Sequence, residues 1–486
     1  MIMNRKNKKI LLVHPLGYKS DKASTDISRI ANITPPLGIA SICAYLLLRQ
    51  IDCDIIDCYA HPDADKKINK YLETEKPDYI GFSCSTSTFM DGIRIAKISK
   101  SILSDIKIVF GGAHVSALKE SIINNFNIVD YVVVGEGEQT LTELIEADNK
   151  NLSDIKNIVY KNYDNKVVFT GYRKNLLDLD SLPFPAYEKL DGYPEKYKLP
   201  IFNYPKTPNS SCISSRGCPY SCSYCDRSVF RKTFRFNSAE YLYKHFKYLN
   251  HNFGIKHVNF YDDQFTFHKK RVLKFCDLMI SGDLKMSFNC AARAEHLDHE
   301  IVTAMKAAGC WMISLGIETG DQKLLAQHRQ NANIEMLREK ITLIKKAKIR
   351  VKALLMMGLP GETEESISKS KKYVYSLPID DFNLAKFTPF PGSPIYQQIK
   401  DGGSLGTFDE NWEKMDCMEF IFIPNGINKE KMEALFIDFY RSHFMRYKVL
   451  FGYFSMIWKS PDSWRRFFID FFSFMNFIKN KKRVQT

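Results

Sequence analysis

The sequence predicts an α/β protein in three parts: a doubly wound parallel-sheet domain, a partial (β/α)6 barrel and a C-terminal helical segment. Three observations predict this order. Short apolar runs alternate with helix-period segments over residues 9–147, and the same alternation resumes at residue 209. A weakly periodic stretch rich in Pro and Tyr separates these two regions. A tail dense in aromatic and basic residues follows them.

The first region begins with the strand-like run KILLVHP, and a helix opening with Pro-Pro follows it. Further strand-like runs are CDIIDCY, DYIGFSCST, IKIVFGGAH and VDYVVVGEGEQT, each with a helix-period segment after it. Helices between consecutive strands predict a flavodoxin-like parallel sheet, whose ligands bind beyond the carboxyl ends of the strands.

The second region supplies six strand-like segments with intervening helices, which is typical of a partial barrel of β/α units. Boundaries are placed where the composition changes. The predicted parts are the sheet domain at 1–150, an extended linker at 151–208, the barrel at 209–405 and the C-terminal segment at 406–486.

Composition and charge narrow the classes of partner. The chain has 486 residues, of which 45% are hydrophobic and 26% charged, as in an ordinary globular protein. Its net charge is +14, and residues 429–486 hold 12 Lys and Arg against 5 Asp and Glu, so the tail supplies +7. Because the excess is local, no nucleic-acid partner is expected.

The cysteines and the N-terminal segment indicate a compartment. Twelve cysteines in a chain of this length are too sparse for a disulfide scaffold. The opening MIMNRKNKKILLVHP lacks the apolar segment of a signal peptide, and no run of 18 apolar residues predicts a spanning helix. The predicted location is the reducing cytoplasm, with membrane association as the alternative.

Three cysteines form the strongest motif. The segment SSRGCPYSCSYCDRS places Cys218, Cys222 and Cys225 at intervals of four and three. A zinc site needs four ligands and a disulfide needs two, whereas three thiolates can hold a four-iron cluster and leave one iron open. The alternative is a zinc knuckle completed by a distant Cys or His, with Cys212 nearby.

This loop, placed before a β/α barrel, resembles that of the radical S-adenosylmethionine (SAM) superfamily. The resemblance implies a [4Fe-4S] cluster whose open iron binds SAM and splits it to a 5′-deoxyadenosyl radical. An external electron donor would reduce the cluster. YDDQF (261–265), GIETG (316–320) and MMGLPGET (356–363) resemble strand motifs of the same superfamily. The SAM-binding residues so implied are Tyr224, Asp262, Asp263, Arg293, Glu318 and Gly358.

Some of these residues have plainer interpretations. Asp262, Asp263, Arg293, Glu318 and Glu362 all fall at predicted strand ends, where a barrel carries its polar groups. Glu318 could instead form a structural ion pair with Arg293. A Gly-Leu-Pro-Gly sequence is also an ordinary turn.

The first domain is similar to the cobalamin-binding domain of one radical SAM subgroup, through PPLGIASICAYL, FGGAHVSA and VDYVVVGEGEQTLTEL. Gly turns at strand ends let a backbone approach a corrin edge or a phosphate. The residues implied for cobalamin are Ser83, Thr86, Gly111, Gly112, His114, Gly135, Glu136 and Gly137.

The domain departs from the cobalamin pattern in one respect. No Asp-x-His-x-x-Gly loop follows the first strand, and His14 and His114 are the only nearby histidines. We expect cobalt without a protein His ligand, and we expect His114 to be a hydrogen-bonding turn residue. The alternative is a flavodoxin-like domain that binds nothing.

The resemblance implies a cobalamin-dependent radical SAM enzyme, and C-methyltransferase is the main prediction. An oxidative cyclase similar to magnesium-porphyrin ester cyclases is one alternative, and a non-catalytic corrinoid- or metal-binding protein is another. A methylthiotransferase is disfavoured because no second three-cysteine cluster is present. The expected substrate is a small molecule, a lipid or a peptide, and no residue run identifies it.

The tail has two interpretations. Residues 429–486 hold 16 aromatic residues, and over 467–478 the polar residues Asp470, Ser473 and Asn476 recur every three positions. This pattern predicts an amphipathic helix with a terminal basic run. The helix would either cap the barrel or contact a membrane surface peripherally.

Overall fold

Residues 8–16, 32–469 and 471 are described by the computed structural model. Its first sheet has seven strands in the order β2-β1-β3-β4-β5-β6-β7, and β1 to β5 are parallel. The strands are β1 (Lys9–His14), β2 (Asp52–Asp57), β3 (Tyr79–Ser83), β4 (Lys107–Gly111), β5 (Tyr131–Val133), β6 (Ile158–Lys161) and β7 (Val167–Phe169). The helices are α1 (Leu37–Leu48), α2 (Ala64–Glu75), α3 (Phe89–Ile102), α4 (Ala113–Leu118), α5 (Glu120–Asn125) and α6 (Glu138–Ala147).

Both faces of this sheet are covered, as a doubly wound sheet requires. Successive residues of β1 alternate between two hydrophobic cores, because strand side chains point to opposite faces. Ile10 and Leu12 join the core that includes α1, whereas Leu11 and Val13 join the core that includes α2 and α3. The predicted α/β domain with a parallel sheet is confirmed.

The extended linker predicted at 151–208 needs correction. β6 and β7 lie inside it and extend the first sheet as an antiparallel hairpin on β5. Tyr187, Tyr197 and Tyr204, farther along, are buried. The Pro and Tyr content that suggested a surface segment instead reflects aromatic side chains packed between the two domains, since Tyr187 and Tyr197 belong to the core shared with the barrel.

The second sheet is the predicted partial barrel, with six parallel strands in the order β15-β14-β13-β12-β11-β8. Its strands are β8 (Asn209–Cys212), β11 (His257–Phe260), β12 (Ser287–Ala292), β13 (Cys310–Glu318), β14 (Arg350–Met357) and β15 (Asp381–Lys386), and a short antiparallel pair, β9 (Ser215–Arg216) and β10 (Arg235–Phe236), follows β8. Its helices are α7 (Ala239–Phe253), α8 (Lys269–Ser281), α9 (His299–Ala307), α10 (Gln322–His328), α11 (Ile334–Lys346), α12 (Glu364–Ser376) and α13 (Tyr396–Gly402).

Local sequence explains where the barrel helices begin. Ser238 caps α7 by accepting from the backbone N–H of Tyr241, and Asn333 caps α11 in the same way. Thr363 and Ser366 form a reciprocal capping box at the start of α12. α10 was not predicted, because seven residues are too few to show a helical period.

The C-terminal segment contains the hairpin β16 (Gly406–Phe408) and β17 (Phe422–Pro424), then α14 (Lys429–Phe444), α15 (Tyr447–Phe454) and a helical stretch at 461–469. Most of the amphipathic helix predicted at 467–478 lies outside the described residues. Within the described part of the chain, no helix is long and apolar enough to cross a bilayer.

Candidate active site

The cysteine loop is closed at its base by the β9–β10 pair, in which Arg216 faces Arg235. Gly217 starts the loop with φ +85°, and a Cβ there would lie 2.1 Å from the carbonyl oxygen of Thr233. Only glycine allows this close return of the chain. The three cysteines follow at once, so the loop presents them at the carboxyl end of β8.

The three thiols differ in exposure, and burial raises the pKa of two of them, Cys218 and Cys225. Cys222 is buried, and its Sγ lies 3.7 Å from Nη1 of Arg293. Burial raises the pKa of Cys218. Burial, and after it the charge of Asp263, raise the pKa of Cys225 to about 12. Without a metal, Cys218 and Cys225 therefore stay protonated, and iron binding has to displace their protons.

The donor set fits a cluster better than a zinc ion. A zinc site needs ligands that converge on one ion, whereas a four-iron cluster takes one thiolate at each of several corners. The Sγ of Cys212 lies 3.4 Å from Nδ1 of His245, on α7, so this cysteine is engaged away from the loop.

His328 links the cysteine loop to the turn after β14. Its Nδ1 lies 2.8 Å from the Ser223 hydroxyl, and its Nε2 lies 2.8 Å from the carbonyl oxygen of Pro360. Its own carbonyl accepts from the backbone N–H of Ser223 at 2.9 Å. His328 therefore fixes the residue between Cys222 and Tyr224. Sequence reasoning missed it because it ends the unpredicted α10.

Tyr224 and Glu318 meet beside the loop. Tyr224 packs against the apolar cluster formed by Leu324, Leu359 and neighbouring side chains. Burial, and then the charge of Glu318, raise the pKa of its hydroxyl well above the ordinary value. Burial likewise raises the pKa of Glu318, against the opposing charge of Arg329. The structure thus brings together two of the residues implied for SAM.

Glu318 ends β13 with a positive φ of +62°, at an irregularity of the β13–β14 register. Its Oε1 lies 3.7 Å from Nη1 of Arg329. Arg293 instead donates to Glu295 at 2.8 Å and to the carbonyl oxygen of Gln330 at 2.6 Å. The ion pair considered between Glu318 and Arg293 is therefore corrected, because Arg329 holds that position.

Arg293 lies at the wall of the cysteine loop. Its guanidinium carbon is 3.7 Å from the centre of the Tyr220 ring, a cation–π contact inside the loop. The Tyr220 hydroxyl in turn lies 2.8 Å from Nε2 of His296. Arg293 thus touches both a thiol and an aromatic side chain of the loop.

Asp262 and Asp263 have different surroundings. The Asp262 carboxylate accepts from the Ser214 backbone N–H at 2.6 Å and from the Ser215 hydroxyl at 2.9 Å. It therefore holds the strand that enters the cysteine loop and has few free lone pairs for a cofactor. Asp263 is exposed at the same strand end.

The turn after β14 contains a buried carboxyl group. Gly358 has φ +101°, and its N–H donates to the Glu362 side chain. Burial raises the pKa of Glu362 from 4.5 to about 8. The neutral carboxyl form is therefore favoured in the folded protein at neutral pH.

This shift predicts a pH-dependent stability. The folded pKa lies above the unfolded value, so the contribution is complete below about pH 4.5 and is lost as pH rises through about 8. We expect the apparent Tm to fall more steeply between about pH 5 and pH 8 in the wild type than in Glu362→Gln, whose amide does not ionise. Parallel melting curves of the two proteins across this range would contradict the prediction.

Two glycines in the turns at the carboxyl edge of the first sheet, Gly112 and Gly135, have backbone angles and close backbone neighbours that favour glycine. A Cβ at Gly112, where φ is +99°, would lie 2.4 Å from the carbonyl oxygen of Cys84. Gly135 has φ +80°, and its N–H donates to the Ser116 hydroxyl at 2.9 Å. A Cβ at Gly137 would lie 2.7 Å from Ile42. Ser83 and Gly111 end the neighbouring strands β3 and β4, and Thr86 follows β3 as a buried residue.

His114 is buried, and its ring packs 4.6 Å from Phe89 and 4.5 Å from Trp412. Burial lowers its pKa to about 3, so the ring is neutral. Among the described residues neither ring nitrogen has a hydrogen-bond partner. The expectation of a hydrogen-bonding side chain is therefore wrong, because an apolar environment surrounds the ring.

Sequence reasoning also missed a contact between His14 and Asp57 at the carboxyl edge of the first sheet. Nδ1 of His14 lies 2.9 Å from Oδ1 of Asp57, and the His14 ring stacks on Tyr59 at 5.0 Å. These residues end β1 and β2, on the same edge as the glycine turns. The available signal was that both residues end neighbouring strand-like runs.

Glu136 belongs to an ion cluster between the two domains. Arg216 contacts Glu136 at 2.5 Å and Glu138 at 2.6 Å, and Arg235 also pairs with Glu136. Ser41 donates to Glu138 at 2.8 Å. The cluster joins the turn before α6 to the β9–β10 pair at the base of the cysteine loop. We call these four charged residues the interdomain ion cluster.

The cysteine loop also touches the glycine turns directly. The Ser228 hydroxyl donates to the carbonyl oxygen of Ala113 at 2.9 Å. A Cβ at Gly135 would lie 3.2 Å from the carbonyl oxygen of Val229. The three-thiol loop and the glycine-lined edge of the first sheet therefore share one wall.

A three-thiol loop at the mouth of a parallel partial barrel defines an iron–sulfur enzyme of the radical SAM class. Two family models match the chain: the B12 binding domain over residues 24–145 and the Radical SAM superfamily over residues 212–374. The chain belongs to the radical SAM superfamily, in the group with an N-terminal B12-binding domain. Its cofactors as a member of that group are a [4Fe-4S] cluster, SAM and cobalamin.

Relatives match over nearly the whole chain. The uncharacterized methyltransferase PH0819 of Pyrococcus horikoshii is 30% identical over 446 residues, covering 91% of this chain and 94% of that protein. The anaerobic magnesium-protoporphyrin IX monomethyl ester cyclase of Rubrivivax gelatinosus is 27% identical, covering 90% of this chain and 77% of that protein.

Solved structures share the fold. The cobalamin-dependent SAM radical enzyme OxsB, with aqua-cobalamin and SAM bound, has a TM-score of 0.71 at 16% identity, covering 89% of this chain and 66% of OxsB. The methyltransferase TsrM of Kitasatospora setae, with cobalamin and [4Fe-4S] bound, has a TM-score of 0.66 at 16% identity, covering 83% of this chain and 76% of TsrM. These likenesses support the two-domain architecture.

Proposed function

We propose that the protein is a cobalamin-dependent radical SAM C-methyltransferase. The observation that carries this proposal is the shared wall between the cysteine loop and the glycine turns, formed by Ser228 on Ala113 and by Val229 beside Gly135. A methyl transfer that uses two cofactors needs their sites to open on one space. The match to PH0819 over 91% of the chain supports the same activity.

Each cofactor has a set of candidate residues. Cys218, Cys222 and Cys225 would hold three irons of the cluster. Tyr224, Glu318, Gly358 and Asp263 would line the SAM site, and Arg293, beside Cys222, would lie at the edge of the same site. The glycine turns and their neighbours at Ser83, Thr86, Gly111, Gly112, Gly135 and Gly137 would line the cobalamin site. When bound, cluster and SAM supply a carbon-centred radical and cobalamin supplies a methyl group.

The remaining candidates act through other residues. Asp262 positions the strand that enters the loop, His114 packs the core beneath the edge, and Glu136 pairs with Arg216 and Arg235. These three support the binding surfaces, and we place them outside direct cofactor contact.

The chain's own groups orient and shield the site. Arg293 places positive charge 3.7 Å from the Sγ of Cys222, where it would offset the negative charge of a bound cluster. Arg329, 3.7 Å from Glu318, opposes the effect of burial, which raises the pKa of this carboxyl. The apolar side chains packed around Tyr224 exclude water from this side of the candidate site.

An oxidative cyclase is the second candidate, because cyclases of Rubrivivax gelatinosus and Cereibacter sphaeroides match 90% and 95% of this chain. The two reactions leave different products. A methyltransferase forms S-adenosylhomocysteine and 5′-deoxyadenosine together, whereas a cyclase forms no stoichiometric S-adenosylhomocysteine.

The test begins with protein purified without oxygen, reconstituted with iron and sulfide and supplied with hydroxocobalamin and an external electron donor. Iron, cobalt and zinc are measured per chain, and both SAM products are followed with candidate small molecules, lipids and peptides. Iron and cobalt together, with equal amounts of both products, are expected. Iron and cobalt with 5′-deoxyadenosine alone would favour the cyclase, and cobalt without iron would favour a corrinoid-binding protein.

Tyr224→Ala is expected to weaken SAM binding about three- to tenfold, because the variant loses aromatic packing against the ligand. Iron per chain should stay unchanged, since the three thiols remain. Tyr224→Phe keeps the ring and should bind SAM nearly as well as the wild type. Equilibrium dialysis of SAM against the iron-loaded protein measures both. A loss of iron in Tyr224→Ala would contradict the assignment.

A further inference from the structure

The C-terminal helices have an inner face that is packed on the barrel. The Arg466 Nη1 donates to the carbonyl oxygen of Leu199 at 2.9 Å, and the Tyr453 hydroxyl donates to Asp381 at 2.8 Å. The Phe202 ring lies 5.2 Å from that of Tyr453. These contacts cover the inner aromatic side chains, so the segment is in part the barrel cap that the sequence allowed.

The outer face of the same helices carries large apolar side chains in contact with solvent. Tyr447, Phe451, Phe454 and Trp458 are 90%, 77%, 59% and 82% exposed. Tyr447, Phe451 and Phe454 are spaced by four and three residues, which places them along one side of α15, and Trp458 follows in the turn after this helix. We call these four residues the aromatic stripe. A monomeric protein rarely exposes so many neighbouring large apolar side chains without a partner.

Basic residues accompany the aromatic stripe. Lys448, Lys459 and Arg465 are exposed on the same segment. Residues 445–469 contain five Lys and Arg but only one acidic residue, Asp462. Asp462 already accepts a hydrogen bond from the Tyr204 hydroxyl at 2.8 Å. The segment that carries the aromatic stripe is therefore apolar and positively charged at once.

This face lies away from the candidate active site. Tyr453 contacts Asp381, which is the first residue of β15, so α15 sits at the amino end of that barrel strand. The cysteine loop and Glu318 lie at the carboxyl ends. A partner on the aromatic stripe would thus leave the mouth of the barrel open.

We propose that the outer face binds the surface of a membrane containing anionic phospholipid. The ring side chains of the aromatic stripe would enter the interface, and Lys448, Lys459 and Arg465 would lie at the lipid phosphates. The contact anchors the enzyme with its barrel mouth turned away from the bilayer. The surface is therefore an anchor, and substrate enters from the aqueous side.

Charge argues against a second copy of the chain as the occupant. A two-fold interface would place the same basic residues of both copies opposite one another. Lysine is also depleted in the cores of protein–protein interfaces, whereas the interleaving of Lys and Arg with aromatic side chains suits a lipid headgroup layer.

The test is co-sedimentation of the full-length holoenzyme with vesicles of phosphatidylcholine alone or mixed with phosphatidylglycerol. We expect binding to the mixed vesicles only, reversed by high salt. Lys448→Glu/Lys459→Glu and Phe451→Ser/Trp458→Ser should each lower the partition coefficient at least about tenfold. Tyr163→Ser/Lys285→Glu changes an equally exposed aromatic and lysine elsewhere, and it should bind like the wild type.

Three results would overturn the proposal. The first is binding that is absent, or that neither pair of substitutions weakens. The second is a dimer in sedimentation velocity that Phe451→Ser/Trp458→Ser dissociates, which would show a second copy on the stripe. The third is binding by a chain truncated after Phe471 but not by the full chain, which would show that residues 472–486 cover the stripe.

Discussion

Replacing any one of Cys218, Cys222 and Cys225 by Ala is expected to abolish the cluster. Iron per chain should fall from about four to near zero, and 5′-deoxyadenosine formation should fall to background. The physical reason is that each thiolate holds one iron corner, and two protein ligands cannot retain a cluster that already lacks a fourth. Anaerobic reconstitution followed by iron analysis and product chromatography measures both quantities.

Cys212→Ala and Cys417→Ala are the matched controls. Cys212 is close in sequence, but its Sγ is engaged with His245 at 3.4 Å. Cys417 is partly buried in the C-terminal segment. Both variants should load iron like the wild type. Loss of metal in Cys212→Ala, with zinc in the wild type, would instead show the four-ligand zinc knuckle.

The cysteine loop could be predicted because its chemistry is local. Three thiols within eight residues carry the metal hypothesis by spacing alone, and the alternation of strands and helices gives both sheets. The glycine turns could be located for the same reason, since they follow apolar runs directly. The residues that these turns contact lie partly in the other domain, so the local sequence does not indicate them.

The partners of the buried charges could not be predicted. Arg216 lies 78 residues from Glu138 along the chain, and nothing near either residue indicates the pair. Glu318 lies nearer to Arg329 in sequence, but the pair depends on α10, which is too short to show a period. Long-range pairing of charges is set by how the domains pack.

The linker and the tail show a different limit of sequence reasoning. Pro and Tyr in residues 151–208 suggested an exposed segment, yet Tyr187 and Tyr197 are buried between the domains. In the tail, the aromatic content indicated a large apolar surface but could not show which side chains meet the barrel. Composition gives the amount of apolar surface, and only packing decides where that surface is covered.

The interdomain ion cluster gives the second large prediction. Arg216→Met should lower the free energy of unfolding by about 3 kcal/mol, and the apparent Tm by about 5 °C, because Glu138 is left buried without its cation. Burial opposes ionisation of Glu138, and the Arg216 charge outweighs it and lowers the pKa of that carboxyl. Glu136 keeps Arg235, so Glu138 is the group left unpaired.

Whether Glu138→Gln stabilises or destabilises the protein tests this explanation. Glu138→Gln alone should destabilise the protein, because it removes one partner of Arg216. In the Arg216→Met background the same substitution should stabilise it, since a neutral amide replaces an unpaired buried charge. Thermal melts of the four proteins measure the cycle.

Arg94→Met is the matched control, because Arg94 pairs with Asp65 and Asp91 on the surface of the first domain, with 41% of its side chain exposed. Arg94→Met should lower the free energy of unfolding by less than about 1 kcal/mol.

Arg216→Met should also release cobalamin on desalting while iron per chain stays constant, because the turn at 135–137 loses its ion pairs with the base of the cysteine loop. Two results would show that the cluster does not couple the two domains. One is an equal fall in Tm for Arg94→Met and Arg216→Met. The other is a Glu138→Gln substitution that changes Tm in the same direction in the wild type and in Arg216→Met.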